Sequence, residues 1–234
     1  MAFRHMLEAR GITIQGHTRE QHTRLQDFSP AQHNPTGGPP LPIPQPVPSP
    51  TVAYLLAQHM SHPLGDDVRV TNKVSQNLHA ELLLRTLGKE RAGSGSIEGG
   101  AEVVRKFLES IGISGDSFIF YDGSGVSRGN LVTPEAVTTL LCYIARQPWG
   151  AQFRDSLPIG GVDGTLANRF KGAALQGRIQ AKTGTETEVS ALSGFIQTNS
   201  GSWLAFSIMV DDHLLPANGR QYIDRILEAI AKQQ

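Results

Sequence analysis

The sequence predicts an α+β domain in which helices cover an antiparallel sheet. Through about residue 146 apolar residues recur at three- and four-residue spacing, the period of a helix with one buried face. In the last third the pattern shortens to β-type runs, "GRIQAKTG", "VSALSGFIQT" and "WLAFSIMVD". Helices grouped first and strands grouped last favour an antiparallel sheet with helices packed on it over an alternating parallel one.

Helical periodicity begins at residues 3–9 and stops at Gly11. A stretch of about two dozen residues is too short to fold alone. Residues 28–50 then carry nine of the fourteen prolines. That density removes backbone donors and favours extended polyproline II, so residues 28–51 are expected to be a linker or surface excursion, cut by proteases before any part of 100–234. A Pro-rich ligand for an SH3-type or WW-type module is the competing reading. Residues 52–234 form the remaining domain, opening with a helix over 52–60.

A second helix is expected over 74–87, burying Val74, Leu78, Leu82 and Leu83 on one face. The polar triplet Ser75-Gln76-Asn77 stands at its start, where Ser75 or Asn77 is suited to cap it. Ala101, Val104, Phe107, Leu108 and Ile111 mark the next helix, ended by Gly112. "YDGSGVS" at 121–127 has the composition of a turn. Thr133-Pro134-Glu135 opens a helix running to about Arg146, with a side-chain cap, proline in the first turn and an acid at the positive dipole end. "NSGS" suits a hairpin between the last two strands. A closing helix over 218–232 carries Tyr222, Ile226, Leu227 and Ile230 on one face.

Hydrophobic residues make up 39% of the 234, enough to build a core, and 21 basic residues balance 21 acidic ones. The balance leaves no electrostatic footprint for nucleic acid or an anionic membrane. No apolar run approaches the ~20 residues of a membrane span. The first residues, "MAFRHMLEARGITIQG", lack the roughly 7–15-residue apolar stretch and cleavage site of a secretory signal. Cys142, the single cysteine, lies in "AVTTLLCYIA" and is expected to be a small buried hydrophobe.

Lys182-Thr183-Gly184 closes a predicted strand. There a lysine, a hydroxyl and a residue without a side chain present a cation, a donor and close backbone access along one edge, which suits a substrate carboxylate. With Ser75-Gln76-Asn77 upstream, the chain holds the S-x-N and K-T-G elements of the signature S-x-x-K, S-x-N, K-T-G found in class A β-lactamases and penicillin-binding proteins.

The blocks "VTNKVSQNLHAELLLRTLG", "YDGSGVSRGNLVTPEAV", "GGVDGTLANRF" and "KTGTETEVSALSGF" resemble, in order, the D-Ala-D-Ala carboxypeptidases of the low-molecular-mass class C penicillin-binding proteins, the S13 serine peptidases. The resemblance implies a β-lactamase/transpeptidase-like fold, incomplete at its N-terminus, with residues 1–27 a remnant of the family's inserted region. It implies acyl transfer on peptidoglycan stem peptides in an extracytoplasmic compartment, with no cofactor and no metal. It implies that Ser75 relays a proton to the leaving amine and that Asn77 hydrogen-bonds the substrate backbone. Lys182 would supply positive field to the serine relay and the terminal carboxylate, which Thr183 also binds. Gly184 would let the substrate strand lie close, and the Thr185 N–H would be an oxyanion donor. Gln76 in the middle of S-x-N, and Glu186 and Glu188 after K-T-G, depart from the pattern by changing local charge.

The lysines stand at 73, 89, 106, 171, 182 and 232, and three residues before each lie Val70, Thr86, Val103, Asn168, Ile179 and Ala229. No S-x-x-K is present. The expectation is a C-terminal part of such an enzyme, nearly inert alone, with β-lactams as partners only when a nucleophile segment is present. A non-catalytic descendant that binds stem peptides or a partner, and a β-lactamase-like hydrolase, are the alternatives.

Overall fold

A computed structural model describes residues 2–17, 60–211 and 216–233. The chain divides into two units, Met1–Leu56 and Ala57–Gln234. In the first, helix α1 (Ala2–Glu8) ends at a turn where Gly11 takes φ +79°, as the periodicity predicts. Arg4 fastens this piece: its Nε reaches Glu8 at 2.8 Å, and its two terminal nitrogens donate to the carbonyls of Gly16 and Ile14. The expected linker over 28–51 and helix over 52–60 lie outside the described residues, apart from Met60 itself, which is not helical.

The second unit is organised around three antiparallel strands, β3 (Ile179–Glu186), β4 (Val189–Gln197) and β5 (Trp203–Val210), in the order β3-β4-β5. Their uninterrupted register pairs Ala181 with Gly194 and Gly194 with Phe206. Side chains alternate across the sheet. One face sends Ile179, Ala181, Leu192, Ile196 and Phe206 into a core shared with Ile223, Leu227 and Ala231 of helix α7 (Pro216–Gln233). The other sends Phe195, Trp203 and Ala205 against Val137 and Leu141 of helix α5 (Pro134–Ala145) and Phe153 of helix α6 (Gly150–Ser156). Helices therefore cover both faces of an antiparallel sheet, the predicted α+β class.

The closing helix meets the sheet through a neighbouring stripe. Ile223, Leu227 and Ala231, spaced by four, are buried, whereas Tyr222 and Ile226 are exposed. Both stripes have helical period, and tertiary packing selects the one that ends in a small residue. Leu227→Ala is accordingly expected to cost about 2–5 kcal/mol in urea unfolding, against about 0.5 kcal/mol or less for Ile226→Ala.

Upstream, helix α2 (Leu64–Lys73) precedes the expected position of the next helix; it has no fully buried residue, and its three apolar residues, Leu64, Val68 and Val70, are too few to announce it. Helices α3 (Asn77–Ala92) and α4 (Ile97–Ser110) then pack together. The predicted buried face of α3 is not the one used. Val74 is 62%, Leu78 62% and Leu82 52% exposed, Leu83 is half-buried, and Leu84 and Gly88 turn inward. The reason is backbone proximity: a Cβ on Gly100 would stand 2.2 Å from the Leu84 carbonyl oxygen, so α4 approaches α3 where glycine permits it.

Short strands β1 (Phe118–Ile119) and β2 (Leu131–Val132) flank the 121–127 turn. Thr133 caps α5 as predicted, its hydroxyl accepting from the Ala136 N–H at 3.2 Å. Cys142 is exposed, contrary to the sequence expectation. The α5 period places Leu141 and Ile144 inside and leaves position 142 on the outer side. Among the described residues no helix is long and apolar enough to cross a membrane.

Candidate active site

Helix α2 ends at Lys73 and α3 begins at Asn77, so residues 74–76 link the two helices in one tight turn. Ser75 takes φ +58° to do so, a left-handed conformation that costs a non-glycine residue about 1–3 kcal/mol and marks candidate functional positions. Ser75 is not the helix cap. That place belongs to Gln76, whose side chain accepts from the Leu78 N–H. The Ser75 Oγ instead accepts a hydrogen bond from Lys182 Nζ at 2.8 Å, joining residues 107 positions apart.

Lys182 stands on the first strand, β3, on the same sheet face as Phe195 and α5. Its Nζ also donates to the Thr183 carbonyl at 2.8 Å. Burial pushes the Lys182 ammonium below its ordinary pKa, because desolvation penalises the charged form. Between the lowered and the ordinary value the unfolded chain binds more protons than the folded one, so stability rises with pH across that window. The parent is therefore expected to gain stability relative to Lys182→Met as pH climbs from neutral towards the ordinary lysine range, measured by urea unfolding.

Thr183, Gly184 and Thr185 follow Lys182 along the same edge strand, whereas Asn77 lies on α3. The Thr183 hydroxyl donates to Thr165 Oγ1 at 2.8 Å. Ile179 accepts from the Gly160 N–H, and Ala181 donates to the Pro158 carbonyl, both at 2.9 Å and both away from β4. With unbroken register, backbone alternation aims the N–H groups of Thr183 and Thr185 the same way. Thr185 thus presents its N–H on the open side of β3, as an oxyanion donor requires. Gly184 is exposed, with ordinary packing room only towards Ala191. Asn77 is exposed at the first position of α3 and makes no hydrogen bond through its side chain among the described residues.

The 121–127 turn is tied to α3 rather than to Ser75 or Lys182. Glu81 Oε1 accepts from the N–H groups of Gly123 and Ser124 and from the Ser124 hydroxyl. Burial alone would raise the Asp122 carboxyl pKa; hydrogen bonds from the Ser127 N–H, Asn130, the Gly125 N–H and Ser124 outweigh it and hold the carboxyl below its usual value. Among the described residues no group of three or more His, Cys, Asp or Glu side chains is placed to hold a metal. Lys73, Asp163 and Thr165 belong to no expected site element, yet Lys73 Nζ donates to Asp163 Oδ2 at 2.6 Å beside the site. Their only signal was position, Lys73 two residues before Ser75 and D-G-T in a turn-forming run.

Residues 45–231 match the profile of the D-Ala-D-Ala carboxypeptidase 3 (S13) family. The chain belongs to this family. Among S13-like relatives, a D-alanyl-D-alanine carboxypeptidase of Actinomadura sp. (strain R39) is 42% identical over 170 residues, covering 70% of this chain and 31% of the relative. The crystal structure of penicillin binding protein 4 (dacB) from Haemophilus influenzae, complexed with a novel β-lactam, superposes with TM-score 0.66 at 33% identity, covering 71% of this chain and 39% of that one. The TLA-3 extended-spectrum β-lactamase shares the fold, with TM-score 0.56 at 18% identity over 72% of this chain and 63% of its own. This S13-family chain spans about a third of the length of the curated relatives it matches.

Proposed function

We propose that residues 52–234 are the C-terminal part of a serine-type D-Ala-D-Ala carboxypeptidase or endopeptidase acting on peptidoglycan stem peptides outside the cytoplasm. The observation that carries this reading is the 2.8 Å bond between Lys182 Nζ and Ser75 Oγ. It unites the S-x-N and K-T-G elements at one strand edge, and the names of the similar carboxypeptidases supply the reaction class.

In the reaction a serine of an S-x-x-K element, contributed by a segment outside this sequence, attacks the carbonyl of the penultimate D-Ala. Its lysine takes the hydroxyl proton. The Thr185 N–H stabilises the oxyanion, Lys182 and Thr183 hold the terminal carboxylate, and Asn77 bonds the peptide backbone. The C–N bond breaks as Ser75 passes a proton to the departing D-Ala amine, and water then hydrolyses the acyl ester. Leu78 and Leu82 exposed on α3, with Val74 exposed in the turn before it, support a further segment packing over α3.

The test is D-Ala release from an N-acylated peptide ending in D-Ala-D-Ala, using a chain extended upstream by an S-x-x-K segment. Release from the D-Ala-D-Ala peptide and not from its L-Ala counterpart is expected. A folded extended chain that releases nothing from this peptide or from cross-linked muropeptides overturns the enzyme reading and favours a non-catalytic binder.

A further inference from the structure

Helix α2 leads directly into the Ser75 turn and has no fully buried residue of its own. Two polar contacts tie its last turn to the segment 156–165. Asn72 Nδ2 donates to Oγ of the buried Ser156 at 2.8 Å. Lys73 Nζ donates to Asp163 Oδ2 at 2.6 Å, with the lysine side chain only 17% exposed. The second oxygen of Asp163 accepts from the Ile159 N–H at 2.8 Å, so the carboxylate is held from two sides. Gly164, at φ +57°, leaves no room beside it: a Cβ there would stand 2.5 Å from the Lys73 carbonyl oxygen.

The opposite side of the same segment runs along β3. Pro158, Ile159 and Gly160 bond or bridge to Ala181, Gln180 and Ile179, and Thr165 accepts from Thr183. The segment is thus a strut with one end on the Ser75 turn and the other on the Lys182 strand. A partly buried, charge-assisted bond is stronger than an exposed surface pair. It opposes the relaxation that the left-handed Ser75 would otherwise favour.

We propose that Lys73 and Asp163 are positioning residues whose ion pair fixes the Ser75 turn within hydrogen-bonding distance of Lys182. The inference rests on the proposed function for its catalytic consequence, but its geometric part stands without turnover.

The test is amide hydrogen exchange on the 234-residue chain with Asp163→Asn. The Val74 and Gln76 N–H groups, bonded to the Val70 and Thr71 carbonyls at 3.2 Å, are expected to exchange about 10-fold faster or more. Amides of the central strand β4 keep the parent rate. Lys73→Gln reads the same contact should Asp163→Asn fail to fold, Lys73→Arg is expected to restore protection, and the double variant to exceed neither single. In the extended enzyme kcat falls about 10²-fold with KM nearly unchanged, as for a misplaced catalytic group. Parent-like protection of residues 74–76 in folded Asp163→Asn overturns the proposal, as does a uniform loss of protection that includes β4. Lost protection at 74–76 without any D-Ala release from the extended parent counts against the proposed function alone.

Discussion

A fluorescent penicillin is expected to leave the 234-residue chain unlabelled, and to label it stoichiometrically once a segment bearing S-x-x-K is joined upstream. β-Lactams resemble the D-Ala-D-Ala terminus and are retained because a serine becomes acylated, so labelling reports the nucleophile rather than the cleft. No lysine of this sequence has a serine three residues before it. Ser75 bonds to Lys182, but that lysine also holds the Thr183 carbonyl and sits at the K-T-G position rather than one helical turn from a nucleophile. Loss of the nucleophile from a serine hydrolase costs on the order of 10⁶ in turnover, which sets the expected contrast between the two chains. Covering Val74, Leu78 and Leu82, all more than half exposed, is also expected to raise solubility. Mass spectrometry locates the adduct. Stoichiometric acylation of the short chain, at Ser75 or elsewhere, would show that a complete catalytic set is already present.

Within the extended chain, Lys182→Ala and Ser75→Ala are each expected to lower the acylation rate about 10²–10³-fold, the range for removing one preorganised group that stabilises developing charge. The two side chains form one bonded pair at 2.8 Å, so the double variant should lose far less than the product of the singles. In the proposed mechanism Lys182 acts on both the serine relay and the substrate carboxylate. Its removal should therefore raise KM as well as lower kcat, whereas Ser75→Ala should act mainly on kcat. Stopped-flow acylation at several penicillin concentrations separates the two. Fully multiplicative effects would show that Ser75 and Lys182 work independently despite their contact.

The sequence determined the features that depend on neighbours along the chain. Thr133-Pro134-Glu135 became a capped helix start because the cap bond spans three residues. The last two strands met through a short polar turn, and the 3.6-residue period located α4, α5 and α7. The K-T-G triplet was legible as strand, although β3 runs on to Glu186 instead of closing there, and the likeness of four blocks to S13 peptidases nominated Ser75, Asn77, Lys182, Thr183, Gly184 and Thr185.

Tertiary structure decided what separated residues do to one another. Whether Leu82 or Leu84 enters the core turned on how closely Gly100 lets α4 approach, and whether Tyr222 or Ile223 does turned on which stripe of α7 meets the sheet. Cys142, in an apolar run, came out exposed because α5 has one inner side. Helix α2 offered only Leu64, Val68 and Val70 as apolar residues, too few to announce it, and none of them is fully buried. Ser75 could have capped α3; a partner 107 residues away holds it instead, and Asp163, 90 residues beyond Lys73, fastens the turn. Periodicity and capping are local energies written into adjacent residues. A hydrogen bond across the fold depends on where every intervening element has packed, and no short window of sequence contains that.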